Sequence, residues 1–162
     1  MVTWPLLRNR IRGGTVSNTF GMVRRYADGR PKPHQGWDLF AAVGTMVYAI
    51  GDGKVAFVRD GGDYGLQLCH SFVCQDRTLY AFYAHLQTVL VRAGETVTMR
   101  QEIGRTGISG NARNLPRHEH HLHFEIREHE HCGQGLAGRL SPLAIYGHCP
   151  LSSITEGTEE VA

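Results

Sequence analysis

The sequence predicts an all-β, mainly antiparallel domain, built as a sheet stack or a partly open barrel. Three observations carry that expectation. Apolar runs are short and strand-like, glycine turns separate them, and no segment reads as a helix longer than about ten residues. The 162 residues include 20 glycines and only 6 prolines, a composition suited to frequent tight turns.

The elements follow in order. Residues 1–33 are basic and rich in turns, with one expected strand near Thr19 to Arg24, and they end in Gly29-Arg30-Pro31-Lys32-Pro33. Val47-Tyr48-Ala49-Ile50 leads through Gly51-Asp52-Gly53 into Lys54-Val55-Ala56-Phe57-Val58. Gly61-Gly62-Asp63 turns into Gly65-Leu66-Gln67-Leu68-Cys69-His70, and Leu79 to Ala84 is aromatic and strand-like. Cys69 to Arg77 reads as a loop, and Val89 to Gly94 as a strand end or turn. Val97 to Met99 and Glu102 to Arg105 flank a bend. His121 to Arg127 alternates cleanly and closes the strands. Ser141 to Tyr146 makes a helical turn or two. The expected organisation is a lead-in over 1–19, one domain over 20–150, and a flexible acidic tail over 151–162 with Glu156, Glu159 and Glu160.

Composition bounds the function. With 41% hydrophobic residues the chain can bury a core without metal or disulfides. A net charge of +2 is too weak to argue for nucleic acid. No stretch reaches the roughly 18 apolar residues of a membrane span, so no membrane insertion is expected. Met1 to Arg12 does not read as a signal peptide, because Pro5 and Arg8 interrupt its apolar run. Four cysteines, Cys69, Cys74, Cys132 and Cys149, form no C-x-x-C pair. Their even count suggests two disulfides, Cys69–Cys74 and Cys132–Cys149, and an oxidising place of action. The alternative is four buried or idle thiols.

Ten histidines are the outlying feature. In His34-Gln35-Gly36-Trp37-Asp38, Pro33 and Gly36 argue against a helix, so a turn entering a strand brings His34 and Asp38 together. By itself the spacing also suits a surface His and a turn Asp. In His121-Leu122-His123-Phe124-Glu125, strand alternation puts His121, His123 and Glu125 on one face and Leu122 and Phe124 on the other. Paired imidazoles pack poorly and bind metal well, although a solvent-facing row within the stretch from His118 to His131 is the plainer alternative. His85 closes an aromatic strand in Tyr83-Ala84-His85-Leu86.

Taken in order, these motifs resemble the lysostaphin/LytM-type zinc metallopeptidases. The resemblance also uses Gly44-Thr45-x-Val47-x-Ala49, Gly51-Asp52-Gly53-Lys54-Val55, Val91 to Val97 with Gly94, and Ile103-Gly104-Arg105-Thr106-Gly107. It covers residues 20–128, about two-thirds of the chain. It implies a core antiparallel β-sheet with a second small sheet, forming an open groove with few or short helices. It implies one Zn2+ per chain held by His34, Asp38 and His123, with His85 and His121 as unligated catalytic histidines. Three ligands leave a fourth tetrahedral position for water, whose pKa zinc lowers toward about 7. The two free histidines then move the water proton to the leaving amine. The resemblance implies a peptidase cutting peptide cross-links of bacterial peptidoglycan, either glycine bridges or D-alanyl–diaminopimelate links, and the disulfide-prone composition, which suits a periplasmic site, favours the second.

The chain departs from the pattern in places. Ile108 to His120 is long, so Asn111 is expected to touch substrate and the spare histidines offer extra metal ligands. Trp37 replaces a smaller aliphatic residue and either lines the groove or packs. The region after Glu128 has no counterpart and is expected to cap one end of the groove. Wall chemistry lies outside the cytoplasm, in the periplasm or cell wall. The absent signal peptide then suggests either a truncated start or delivery by a specialised secretion system. An antibacterial effector toxin, neutralised by an immunity protein in its groove, fits the second. The competing readings are a non-catalytic regulator that binds and activates other wall hydrolases, and a metal-buffering β-domain.

Overall fold

All strand pairs among the described residues are antiparallel. The computed structural model describes residues 1–161. Its principal sheet has nine strands: β4 (Trp37–Phe40), β5 (Met46–Tyr48), β6 (Gly53–Gly61), β7 (Gly65–Cys74), β8 (Arg77–Val89), β9 (Thr96–Val97), β10 (Glu102–Thr106), β11 (His121–Arg127) and β12 (Arg139–Leu140). The path runs β12-β11-β8-β7-β6-β9, with β4 on β11 and β10 joining β5 to β8. Two small sheets accompany it, β2 (Gly21–Arg25) with β3 (Pro31–His34), and β1 (Arg8–Asn9) with β13 (Thr155–Glu156). The one α-helix among the described residues, α1, is a single turn at Leu143–Tyr146. The expected class, main sheet and small accompanying sheet are all present.

Alternation divides β11 as its sequence requires. Leu122, Phe124 and Ile126 enter the main core with Leu39, Tyr83 and Leu86. His121, His123 and Glu125 take the other face, which is also buried. Gly36 lets β4 lie close on β11, because a Cβ there would strike the Phe124 carbonyl.

Several expectations are corrected. Residues 69–77 are not a loop: β7 runs to Cys74 and turns at Gln75-Asp76, both in left-handed backbone, straight into β8. This placement excludes the Cys69–Cys74 disulfide. Residues five apart on a strand lie about 16 Å apart and face opposite sides, and the two thiols join different apolar clusters. Cys132–Cys149 is absent too. The Cys132 thiol donates to the Gly138 carbonyl at 3.3 Å, ahead of β12, while Cys149 packs on the main core beyond α1. All four cysteines are free.

Trp37 does not line the groove. Beside Asp38 on β4, alternation sends it into the core, where it stacks with Trp4 and Tyr146 at 6.1 and 6.0 Å. The lead-in and the tail are packed rather than loose. Trp4, Leu6 and Ile11 are core residues, β13 pairs with β1, and Val161 bridges Val2. The two ends offer each other a partner strand, which local polarity does not reveal.

Candidate metal centre and its groove

The β4–β11–β8 register builds the site. Asp38 lies opposite His123, which lies opposite Ala84 on β8. His34 ends β3, and two residues, Gln35 and Gly36, separate it from the start of β4. His34, Asp38 and His123 are buried and present one ligand atom each, all within 4.8 Å of one another. Asp38 Oδ1 is 3.1 Å from His34 Nε2 and 2.9 Å from His123 Nδ1.

The hydrogen bonds behind the rings determine what they present. His34 Nδ1 lies 2.7 Å from the Thr19 carbonyl, which can only accept, so Nδ1 carries the proton and Nε2 faces inward. His123 Nε2 donates to Glu125 Oε1 at 3.0 Å, turning Nδ1 inward. Two imidazole nitrogens and a carboxylate oxygen meeting at one buried point suit a cation between them. Two nitrogens and one oxygen are the donor set of a catalytic zinc site with an open fourth position. The residues fit the metal.

Protons and metal compete for this point. Burial opposes the charge on His123, yet its hydrogen bonds to Asp38 and Glu125 and their charges push its pKa up to about 9. Burial likewise opposes the Asp38 charge, but the positive field and hydrogen bonds of His121, His123 and His34 hold its carboxyl well below the usual range.

His85 reaches the groove through a bulge. Strict alternation after Ala84 would aim it at the core. Instead the ladder slips there, Leu68 pairing with Tyr83 and Leu66 with Leu86, and His85 takes left-handed backbone at φ 59°. Its N–H donates to the Tyr64 carbonyl at 2.9 Å, and its carbonyl accepts from Gly107 N at 2.8 Å. Its Nδ1–H donates to the Ser109 carbonyl at 3.0 Å, leaving Nε2 as an acceptor. Burial first, then the charges of His123 and His121, push its pKa down to about 3, so it is neutral at pH 7.

His121 stands edge-on to His85, ring centroids 5.0 Å apart. Its Nδ1–H donates to the Glu119 carbonyl at 2.8 Å, and Nε2 lies 3.6 Å from Asp38 Oδ1. Burial lowers its pKa as well, against the pull of Asp38. These residues line an open groove of about 910 Å³, with Asn111, Tyr64 and Lys32 on its walls and Gln134 and Gly135 at the end expected to be capped. The spare histidines form no second metal-binding group among the described residues.

Supporting residues appear that the sequence did not point to. Tyr64 donates to Glu125 Oε1 at 2.7 Å, and Arg127 and Arg139 each donate to Oε2 at 2.7 Å. Arg12 and Arg24 reach Asp38 Oδ2 at 3.2 and 2.7 Å. Only Arg127 carried a sequence signal, two residues beyond Glu125 on one strand face. The others arrive from distant segments.

Comparison with known proteins agrees with this geometry. The model of peptidase family M23 matches residues 32–134. The peptidoglycan DD-endopeptidase ShyB of Vibrio cholerae is 35% identical over 115 residues, covering 68% of this chain and 24% of that protein. The crystal structure of a zinc-containing peptidase from Vibrio cholerae is 30% identical, with a TM-score of 0.63 over 78% of this chain and 36% of that one. The lysostaphin catalytic domain from Staphylococcus simulans, 23% identical, shares the fold with a TM-score of 0.62 over 81% of this chain and 90% of its own. The chain spans about a quarter of the length of ShyB.

Proposed function

The chain belongs to peptidase family M23, and from that premise we propose that it is a zinc-dependent endopeptidase that hydrolyses peptide cross-links of peptidoglycan, the D-alanyl–diaminopimelate link in particular. The convergence of His34 Nε2, Asp38 Oδ1 and His123 Nδ1 in an open groove carries this reading. One zinc per chain supplies a Lewis acid there and makes water a nucleophile near neutral pH. The chain's own residues do the rest. His34, Asp38 and His123 hold the ion. Neutral His85 and His121, each with Nδ1–H bound to a backbone carbonyl, offer Nε2 to the reacting atoms. One takes the proton as the water oxygen attacks the scissile carbonyl carbon, and the proton passes to the departing amine nitrogen. Tyr64 and Asn111 line the groove walls, where a bound peptide would meet them.

The full set of ligands and both free histidines favour an enzyme over a non-catalytic regulator. The likeness to ShyB, a peptidoglycan DD-endopeptidase, supports the choice of bond. Among the described residues no helix is long and apolar enough to cross a membrane. The test is digestion of purified sacculi, diaminopimelate-type and glycine-bridged, with products identified by mass spectrometry. Loss of cross-linked dimers from diaminopimelate-type wall, abolished by chelation and by His123→Ala, is expected. No cleavage of either wall by zinc-loaded protein overturns the proposal.

An antibacterial role, with an immunity protein closing the groove, extends the same proposal. Expression directed to the periplasm should then lyse cells and cytoplasmic expression should not. Harmless periplasmic expression with verified export overturns that extension.

A further inference from the structure

The two oxygens of Asp38 face different chemistry. Oδ1 points to His34 and His123, while Oδ2 is taken by two guanidinium groups. Arg24 comes from β2, and its Nε also donates to the Ser17 carbonyl at 2.7 Å. Arg12 comes from a 3-10 turn in the lead-in, and its Nη1 donates to the Glu119 carbonyl at 3.3 Å, the same carbonyl that accepts from His121 Nδ1. Asn18 joins the arginines, its Oδ1 accepting from Arg12 at 2.7 Å and from Arg24 at 3.1 Å. Its amide donates to the Arg12 carbonyl at 2.8 Å. Arg12, Asn18 and Arg24 all precede the residues matched by the family model, 32–134. Little of this cluster meets solvent: the Arg12 side chain is 15% exposed and that of Arg24 30%.

We propose that Arg12 and Arg24 are positioning residues that restrict Asp38 to one-oxygen ligation and weaken its donation, with Arg12 also fixing the carbonyl that orients His121. A carboxylate whose second oxygen accepts two charge-assisted hydrogen bonds cannot swing that oxygen onto the metal without abandoning both. One coordination position therefore stays open for water or the scissile carbonyl. Two cations on the ligand also draw electron density from Oδ1, so the metal keeps more of its Lewis acidity. The lead-in thereby becomes part of the active centre.

This inference rests on the zinc-peptidase reading, and the test separates the two. Wild-type protein, Arg12→Gln, Arg24→Gln and Arg24→Lys are loaded with cobalt(II) as a spectroscopic substitute, and zinc affinity is measured by chelator competition. Wild-type should show the strong visible absorption of a four-coordinate ion. In the two glutamine variants that band should weaken as Asp38 becomes bidentate, and kcat should fall about 10–100-fold. Their zinc affinity should stay within about threefold of wild-type or tighten, since cations near the metal are removed. Arg24→Lys should restore most of the band and the rate. Glutamine variants with an unchanged spectrum and rate overturn the inference, and so does zinc affinity falling in step with kcat, which marks plain structural damage. Wild-type protein that takes up neither metal overturns the zinc-peptidase reading itself.

Discussion

Glu125 accepts the Nε2 proton of His123 at 3.0 Å, and this bond turns Nδ1 toward Asp38. The carboxylate is buried, and Tyr64, Arg127 and Arg139 occupy its remaining lone pairs. Although burial disfavours its charge, His123 and the arginines hold its pKa below the usual range. Glu125→Gln places amide hydrogens against donors or turns its oxygen away from His123. We predict a loss of about 10–100-fold in zinc affinity or activity. Chelator competition and turnover measure it, and unchanged values would remove Glu125 from the metal's support.

The histidines divide into two classes by what faces them. His34→Ala and His123→Ala should empty the zinc site. His85→Ala and His121→Ala should keep zinc and lower kcat about 10²–10⁴-fold, the range of a general acid–base contribution. Metal content by mass spectrometry beside turnover separates the classes. Zinc loss from His85→Ala would contradict the assignment.

Away from the site, His70 is fully buried, with Nδ1–H donated to the Ser71 carbonyl at 2.8 Å and Nε2 accepting from the Tyr83 hydroxyl at 2.9 Å. Burial pushes its pKa down to about 4. Between that value and the unfolded value near 6.5 the unfolded chain holds the extra proton, so stability rises with pH and falls on acidification. The full effect is about 3 kcal/mol across that window. Urea unfolding at pH 7 and pH 5 should show the loss, and His70→Gln should reduce it. An equal loss in both proteins would exclude His70 as the cause.

Thiol chemistry should follow the packing. Cys69 and Cys74 are buried, and burial pushes the Cys69 thiol up to about 12. Neither should react with a thiol reagent in the native protein, and unfolding without reductant should release four thiols. Recovery of only two or none would restore the disulfides.

The paired ends should matter for stability. Deleting residues 152–162 removes β13 and the Val161 bridge to Val2, and uncovers Leu6 and Asn9. A cost of about 2 kcal/mol would lower the unfolding temperature by roughly 4–8 °C. Calorimetry decides it, and an unchanged transition would mean that these contacts contribute nothing.

Much of the centre is legible from local pattern. A strand has a period of two, so the row His121, His123, Glu125 was bound to share a face once Leu122 and Phe124 were taken into the core. Pro33 and Gly36 argue against a helix around His34 and Asp38 and favour a turn into a strand. The same period places Trp37 opposite Asp38, in the core. Groove lining was the wrong expectation for that residue.

By itself, then, the sequence determined the antiparallel class, the strand that carries two of the site histidines, and the order of its motifs. Only the tertiary structure decided that His85 bulges back toward the groove beside His121 and His123, that all four thiols stay apart, and that Arg12 and Arg24 close on Asp38. The physical reason is range. Alternation and turn chemistry act over a few residues and are written in them. A bulge depends on the register of two neighbouring strands, and a guanidinium meets a carboxylate 14 or 26 positions away only after the sheet has folded.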